Sequence, residues 1–204
     1  MLARKDRFIK RAFDITSSVI LLSLIWWLFL IVWLISSIVH KSNGFFFQDR
    51  IGLHGKKIKV IKFKTMREGS GLLTTITVSN DYRITKLGKF LRRCKLDELP
   101  QIINVIKGDM SVVGPRPDVP GYADKLTGED GVVVSVRPGI TGPAQLFYRK
   151  EEEILSDQKN PAKYNDEVIW PNKVKINRQY VNNYTFSRDM YYIWKTFVGG
   201  DVKY

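Results

Sequence analysis

Two adjacent carboxylates, Asp97 and Glu98, stand at the predicted start of a short helix. A third, Asp109, follows the end of that helix, and the segment closes on Gly114-Pro115-Arg116-Pro117. A carboxylate can act as a nucleophile toward phosphorus, and a neighbouring carboxylate can bind a divalent cation. A guanidinium held between two prolines can bind phosphate oxygens in a bidentate way. Together these residues predict a metal and phosphate site.

Simpler interpretations of the same residues stay open at this point. Asp97 could serve only as a helix N-cap, and Glu98 only as an acid that complements the helix dipole. Arg116 could be a solvated arginine in a surface turn. The nearby cations, taken singly, are also typical of solvated surfaces: Lys62, Lys64, Arg92 and Arg93. The sequence contains neither a Cys/His spacing suited to zinc nor a Gly-rich nucleotide loop.

The composition indicates a basic chain with an anionic partner. The 204 residues carry a formal net charge of +13. This length favours one domain, and this charge favours nucleic acid, an anionic membrane face or phosphorylated substrates as partners. Cys94 is the only cysteine, so no internal disulfide can form, which suits a reducing compartment.

The segment from Ile15 to Val39 contains no charged residue. As a helix rising about 1.5 Å per residue, it could cross a hydrocarbon core of about 30 Å. Basic residues lie on both sides of it, and positive charge marks the cytoplasmic side of a membrane. A spanning helix and a re-entrant helix both remain open, and the two-sided charge favours the re-entrant form. Ser23 is the candidate break, because its hydroxyl can bond to a carbonyl one turn back.

The pattern around these features predicts an α+β fold that is mostly helical. A membrane-embedded re-entrant helix would occupy residues 1–40, and a small cytoplasmic catalytic domain with amphipathic interfacial helices would occupy residues 41–204. The predicted elements are a basic-faced strand over Lys57–Lys64, a mobile loop over 68–80, helices over Ile84–Arg93 and Leu99–Lys107, a strand over Val132–Val136, an irregular stretch over 150–172, and helices from Lys173 and over Ser187–Val198.

Five segments together resemble the monotopic phosphoglycosyl transferases, the bacterial sugar transferase family of glycan assembly. They are Lys10-Arg11-Ala12-Phe13-Asp14, Lys62-Phe63-Lys64-Thr65-Met66, Leu96–Ser111, Gly114-Pro115-Arg116-Pro117 and Arg137-Pro138-Gly139-Ile140-Thr141-Gly142. They extend from the N-terminus to about residue 150. Each segment is weak evidence alone, but their combination is highly specific.

The resemblance implies a phosphosugar transfer from a nucleotide diphosphate sugar, usually uridine-linked, to polyprenyl phosphate. It implies Asp97 as the nucleophile that forms a covalent phosphosugar intermediate and releases UMP, and Glu98 with Asp97 as ligands of Mg²⁺. The phosphate-binding residues it implies are Lys62, Lys64, Arg92, Arg116, Arg137, Gln145 and Arg149. The expected location is the cytoplasmic face of the bacterial inner membrane, in contact with its lipid and without nucleic acid. The expected product is a lipid-linked sugar for O-antigen, capsule, exopolysaccharide or glycoprotein assembly, and a homodimer stays open.

Two features depart from the family pattern. The family usually breaks its membrane helix at a Ser-Pro pair, whereas this chain has Ser23-Leu24. Residues 150–176 carry an insertion, followed by Asn177 where an acidic residue is common, and sugar specificity is expected there. The competing class is a non-catalytic basic membrane protein that binds anionic lipid or nucleic acid. That class leaves the adjacent carboxylates and the proline-flanked arginines unexplained.

Overall fold

The computed structural model describes residues 2–67, 82–200 and 202. In this part of the chain most residues are helical, and two small two-stranded sheets are present. The α-helices are Arg4–His40 (α1), Lys86–Arg93 (α2), Gln101–Lys107 (α3), Pro143–Phe147 (α4), Glu151–Ser156 (α5), Pro161–Tyr164 (α6), Trp170–Asn182 (α7) and Phe186–Val198 (α8). The strands are Phe45–Ile51 (β1), Lys57–Phe63 (β2), Ser111–Val113 (β3) and Gly139–Thr141 (β4). The loop expected over 68–80 lies outside the described residues.

The strand predicted near Lys57–Lys64 is confirmed as β2, which pairs with β1 in an antiparallel hairpin. Lys62 lies opposite Phe46, Val60 opposite Gln48, and Ile58 opposite Arg50. Alternate residues of a strand share a face, and so do directly opposed residues of an antiparallel pair. The hairpin therefore places Gln48 and Arg50 on the same face as Lys62.

The second sheet joins β3 and β4 in parallel, with Ser111 opposite Gly139 and Val113 opposite Thr141. The strand predicted over Val132–Val136 is wrong. All but the last of these residues belong to a 3₁₀ segment, Gly128–Ser135, which packs against α7. A short apolar run does not distinguish a strand from a helical segment by periodicity, so the sequence could not separate the two.

Helix α1 is continuous from Arg4 to His40, so the basic lead-in and the apolar segment form a single helix. Among the described residues it is the one helix that is long and apolar enough to cross a membrane. Its apolar side chains are largely exposed, including Val19, Ile20, Leu24, Trp26, Trp27, Leu30, Leu34 and Ile38. Exposed apolar surface of this extent is typical of a segment that lies in lipid. The division of the chain at residue 40 stays a prediction.

The N-terminal part of α1 is fixed to the globular part of the chain by polar contacts. Lys10 forms a buried ion pair with Asp189 of α8 at 2.5 Å. Asp14 accepts hydrogen bonds from the Ser111 hydroxyl at 3.0 Å and from the Val112 backbone N–H at 2.9 Å. Buried polar groups with satisfied hydrogen bonds fix a unique packing, so this end of the helix is held on β3 and α8.

The C-terminal part of α1 packs on the β1–β2 hairpin. The Ser36 hydroxyl donates to the Lys64 carbonyl at 3.0 Å, and Val32 belongs to an apolar cluster with Phe63 and Leu91. Both ends of the helix therefore contact the same globular part of the chain, while much of the apolar surface between them stays exposed.

Helices α7 and α8 supply much of the main core. Tyr180 and Tyr192 pack there with Val113, Leu146 and neighbouring residues. The predicted helix over Ser187–Val198 is confirmed as α8. Its aromatic residues divide between two environments, because Tyr192 is buried whereas Trp194 and Phe197 are exposed.

The irregular stretch predicted over 150–172 is wrong, because α5, α6, a π-helical segment over Asn165–Ile169 and the start of α7 occupy it. Helix α6 shows a local cause: Pro161 stands at its first position, and the Asn160 side chain accepts from the Lys163 N–H at 3.1 Å. Proline and an asparagine cap are favoured at helix starts.

Candidate active site

The two adjacent carboxylates lie in a 3₁₀ turn, Leu96–Glu98, between α2 and α3. The turn follows Lys95, which adopts a left-handed conformation with φ of 57°. The predicted role of Asp97 as an N-cap is wrong, because Pro100 is the residue before α3 and no side chain caps that helix. The 3₁₀ turn separates Asp97 from the start of α3, so its carboxylate does not cap that helix.

Glu98 is held by two cations. Its Oε1 accepts from the Arg116 Nη2 at 2.7 Å and from the Lys62 Nζ at 3.1 Å. Burial alone would raise the pKa of Glu98, but the charges and hydrogen bonds of Arg116 and Lys62 hold it well below its usual range. The Glu98 charge in turn raises the pKa of Arg116, while burial lowers the pKa of Lys62 to about 8. Glu98 is therefore an anion at neutral pH, fixed by its partners.

Asp97 has the opposite environment. Its side chain is buried, and its Oδ1 has no hydrogen-bond partner among the described residues. Burial, and after it the charge of Glu98, raises the pKa of Asp97, with Lys62 and Arg92 acting in the other direction. A buried carboxylate oxygen without a partner is rare and calls for an explanation. This oxygen is available to bind a cation or to attack an electrophile.

The remaining predicted phosphate ligands fall into two groups. Arg92 is close enough to lower the pKa of Asp97, and its Nη1 lies 3.8 Å from the Oε1 of Glu152 in α5. Gln145 of α4 has a buried Oε1 that lacks a hydrogen-bond partner in the described part of the chain. Both side chains thus retain binding capacity.

Three others make hydrogen bonds away from the adjacent carboxylates. The Lys64 Nζ donates to the Ser42 hydroxyl at 2.9 Å, next to the end of α1. The Arg137 Nε donates to the Gly108 carbonyl at 2.7 Å, and the Arg149 Nη2 donates to the Lys195 carbonyl at 2.8 Å. Their assignment to substrate phosphate stays a prediction.

Arg50 is a site residue that the sequence analysis missed. Its guanidinium donates to the Pro117 carbonyl at 3.2 Å and to the Gln48 side chain, and it lines a small recess with Lys62 and Arg116. Burial, and after it the charge of Arg116, lowers the pKa of Arg50 to about 10. The strand alternation of Gln48, Arg50 and Lys62 could have identified it, had the hairpin register been known.

Asp118 and residues of the 150–176 segment also reach this region. Burial raises the pKa of Asp118 to about 6, against the opposing charges of Lys173 and Arg50. Lys173 forms an ion pair with Glu151 of α5 at 2.6 Å. Glu151 and Lys173 therefore lie beside the cationic cluster that surrounds the adjacent carboxylates. The expected insertion over 150–176 stays a prediction. Asn177 is buried, and its Oδ1 has no partner within the described ranges.

A magnesium ion fits this set of donors. Within residues 2–67 and 82–200, no group of three or more His, Cys, Asp or Glu side chains is arranged to bind a metal. Magnesium, however, is commonly bound by one or two carboxylates together with water and substrate phosphates. Within the described residues, Asp97 offers its unpartnered Oδ1, and the hydrogen bonds of Glu98 all go to its Oε1. Asp109 is engaged elsewhere, with Asn104 and Lys107.

Comparison with known proteins gives the same family as the sequence motifs. Residues 5–200 match the profile of the family described as bacterial sugar transferase. The chain is 35% identical over 185 residues to the uncharacterized sugar transferase EpsL of Bacillus subtilis (strain 168), covering 89% of this chain and 82% of that protein. It is 36% identical over 203 residues to the exopolysaccharide production protein PSS of Rhizobium leguminosarum bv. phaseoli, covering 95% of each.

A third relative is longer than this chain. The UDP-glucose:undecaprenyl-phosphate glucose-1-phosphate transferase of Escherichia coli (strain K12) is 39% identical over 170 residues. The match covers 80% of this chain and 36% of the E. coli protein, so this chain spans about a third of that relative's length. The profile match over nearly the whole chain, with these relatives, assigns the chain to the bacterial sugar transferase family, and it is an enzyme of the sugar-phosphate transferase class.

Proposed function

We propose that the protein transfers a phosphosugar from a UDP-sugar to undecaprenyl phosphate through a covalent intermediate on Asp97. In the first step, a carboxylate oxygen of Asp97 bonds to the β-phosphorus of the donor. The bond from that phosphorus to the bridging oxygen breaks, and UMP leaves with the oxygen. In the second step, a phosphate oxygen of the lipid attacks the same phosphorus. The Asp97 carboxylate is displaced, and the product is polyprenyl diphosphate sugar.

The observation that carries this proposal is the contrast between two adjacent carboxylates. Glu98 is fully engaged at Oε1 by Lys62 and Arg116, whereas the Oδ1 of Asp97 has no partner in the described part of the chain. A nucleophile needs a free oxygen, and an orienting carboxylate needs fixed partners. The environment therefore favours Asp97 as the nucleophile and Glu98 as the residue that positions the cations.

The cationic cluster supplies electrostatic stabilisation for the phosphates. Two phosphate groups of a donor would repel a carboxylate nucleophile unless nearby positive charge offset them. Lys62, Arg116, Arg92 and Arg50 offer that charge around the turn that carries Asp97. Magnesium, bound by Asp97 and Glu98, would neutralise phosphate oxygens when present.

The substrate classes come from the names of the relatives. The E. coli relative is named for UDP-glucose and undecaprenyl phosphate, and a Salmonella typhimurium relative is named undecaprenyl-phosphate galactose phosphotransferase. The lipid occurs in both names, UDP occurs in the first, and the sugar differs between them. We therefore propose the lipid carrier and the UDP-sugar class without naming a sugar. The Rhizobium relative's name favours exopolysaccharide as the glycan.

The proposed location is the cytoplasmic face of the bacterial inner membrane, with α1 as a re-entrant helix. Both ends of α1 contact the same globular part of the chain, through Lys10 and Asp14 at one end and Ser36 at the other. A helix that crossed the membrane would separate these contacts. Two side-chain bonds support a bend between them: Ser23 donates to the Ile20 carbonyl at 2.8 Å, and the Trp27 indole donates to the Leu24 carbonyl at 3.0 Å. Such bonds can satisfy carbonyls released where a helix bends.

The covalent mechanism is tested with Asp97→Asn, which keeps the size of the side chain and removes the anionic oxygen. We expect UMP release to fall to background and mass spectrometry to find no phosphosugar adduct. The wild-type protein incubated with donor alone should carry the adduct on Asp97, and the kinetics should be ping-pong. Asp109→Asn is the matched control. Near-normal turnover of Asp97→Asn, or an obligatory ternary complex without any adduct, would overturn the proposal.

The topology is tested with a cysteine at Ala3 in a Cys94→Ser background. An impermeant thiol reagent applied to intact cells should leave this cysteine unlabelled, and lysis should expose it. The unmodified protein provides the control, since Cys94 is exposed in the globular part of the chain. Labelling at position 3 in intact cells, with Cys94 protected in the control, would show a spanning helix.

A further inference from the structure

A second cavity lies at the start of α1, formed by residues that do not belong to the adjacent-carboxylate cluster. Its volume is about 220 Å³. Its walls are the first turns of α1, the turn at Leu53–Gly55, the start of β3 and residues 135–137. A water molecule occupies about 30 Å³ of liquid, so the cavity has room for about seven waters or for a group the size of a glycerol phosphate.

Positive charge dominates this cavity. Arg7, Lys10, Arg11 and Arg137 line it, with Asp14 as the single carboxylate among its lining residues. Lys10 is already neutralised by its ion pair with Asp189. The three arginines therefore exceed the one acid in the wall, and an anion in the cavity would be attracted.

Two of these arginines are held firmly at the end of α3. Arg11 donates to the Val105 carbonyl at 2.6 Å and to the Ile106 carbonyl at 3.0 Å, and Arg137 donates to the Gly108 carbonyl at 2.7 Å. They lie close enough to each other that, after burial, the charge of Arg137 lowers the pKa of Arg11. Two fixed guanidinium groups that repel each other form a favourable site for a phosphate group.

The position of the cavity along α1 sets its depth relative to lipid. Arg11 precedes Ile15, the first residue of the uncharged segment, by four positions, which is about 6 Å along a helix. The lining also includes the apolar residues Leu2 and Val136. A charged wall beside an apolar one, next to a membrane-embedded segment, matches an amphiphile whose phosphate and glycerol lie at the membrane surface.

We propose that this cavity binds the phosphate of an anionic phospholipid headgroup, at a site separate from the catalytic carboxylates. The site does not depend on Asp97 or Glu98, because none of its lining residues contacts either carboxylate through a hydrogen bond or ion pair seen in the described residues. The bound lipid fastens the start of α1, α3 and β3 to the bilayer.

The test measures lipid binding to the full chain in non-ionic detergent by native mass spectrometry. Dihexanoyl phosphatidylglycerol should bind saturably at one molecule per chain, and dihexanoyl phosphatidylcholine should bind at least tenfold more weakly. Arg7→Gln should weaken binding of the anionic lipid at least fivefold. Arg4→Gln makes the same charge change on an exposed residue outside the cavity and should alter binding less than twofold. Ser135→Glu places a negative charge in the part of the wall formed by residues 135–137 and should weaken binding without altering α1.

Several outcomes would overturn the proposal. Equal losses in Arg4→Gln and Arg7→Gln would indicate diffuse surface charge. Glycerol phosphate that binds as tightly as the lipid would indicate a site for a soluble phosphate. Displacement of the phosphatidylglycerol by farnesyl phosphate would assign the cavity to the acceptor. Unaltered binding in both Arg7→Gln and Ser135→Glu, with thermal unfolding like the wild type, would place the lipid elsewhere.

Discussion

Replacement of Glu98 by Gln should destabilise the protein, whereas replacement of its neighbour Asp97 by Asn should not. In Glu98→Gln the amide oxygen can still accept hydrogen bonds, but the negative charge between Lys62 and Arg116 is lost. The two cations then face each other without compensation. In Asp97→Asn a buried carboxylate with a raised pKa and an unpartnered oxygen becomes neutral, so the protein should be equally or more stable.

The size of the Glu98 effect follows from the exposure of the three side chains. Removing one partner of a fully buried ion pair costs about 3–5 kcal/mol. Here the side chains of Glu98, Lys62 and Arg116 are 12%, 18% and 35% exposed, so solvent screens part of the interaction. We expect a loss of about 2 kcal/mol after this reduction. For a chain of this length that corresponds to a decrease in Tm of about 4–8 °C.

The contribution of the Glu98 charge to the free energy of unfolding also depends on pH. The pKa of Glu98 is depressed in the folded state, so its stabilising effect is present above the unfolded pKa of about 4.3 and disappears as the pH falls. The difference in Tm between wild type and Glu98→Gln should therefore stay constant from pH 7 to about pH 5 and shrink as the pH falls below the unfolded pKa of about 4.3.

The assay is thermal unfolding of the full chain in detergent, followed by circular dichroism at one scan rate. A double-mutant cycle with Lys62→Met isolates the interaction between Glu98 and Lys62. In the Lys62→Met background, Glu98→Gln should lower the Tm by less than it does in the wild type. A Tm for Glu98→Gln within 1 °C of wild type, or an equal loss in Asp97→Asn, would refute the contrast between the two carboxylates.

Three further predictions concern groups around the site. The kcat/KM for UMP release should fall above pH 8, because burial lowers the pKa of Lys62 to about 8 and the side chain loses its charge as the pH rises. In Lys62→Arg this decrease in kcat/KM should begin at least one pH unit higher. Asp189→Asn leaves Lys10 buried without its partner and should lower the free energy of unfolding by about 3 kcal/mol in denaturant titrations. Glu152→Gln frees Arg92 from an exposed carboxylate and should lower the KM for the nucleotide sugar by about twofold at most, measured in steady-state assays.

The sequence predicted those elements whose signals are local. Helix α3 ends at Gly108, which has a φ of 94°, a conformation that glycine adopts easily. Strand β2 follows from the alternation around Lys62. The long helix follows from the absence of charge after Asp14. In each case the deciding residues lie within one continuous segment of the chain.

The elements that the sequence missed depend on contacts between distant segments. Arg50 enters the site only because β1 pairs with β2 in a particular register, and sequence spacing does not fix that register. Glu151 reaches the site because it forms an ion pair with Lys173, 22 residues away. Residues 132–135 of the expected strand belong to a 3₁₀ segment that packs against α7, where tertiary contacts override local preference.

The adjacent carboxylates show why motif and structure carry different information. The sequence shows that Asp97 and Glu98 are adjacent carboxylates, but it does not show which of them contacts the cations. The 3₁₀ turn separates them: consecutive side chains in such a turn are about 120° apart, so one can point to the cations while the other does not. Lys62 comes from β2 and Arg116 from the segment after β3, and among the described residues both donate hydrogen bonds to Glu98 and not to Asp97. Burial raises the pKa of Asp97, whereas the pKa of Glu98 is lowered, because the cations on distant elements bond to Glu98. The proposed roles, Asp97 as nucleophile and Glu98 as positioning residue, follow from this difference.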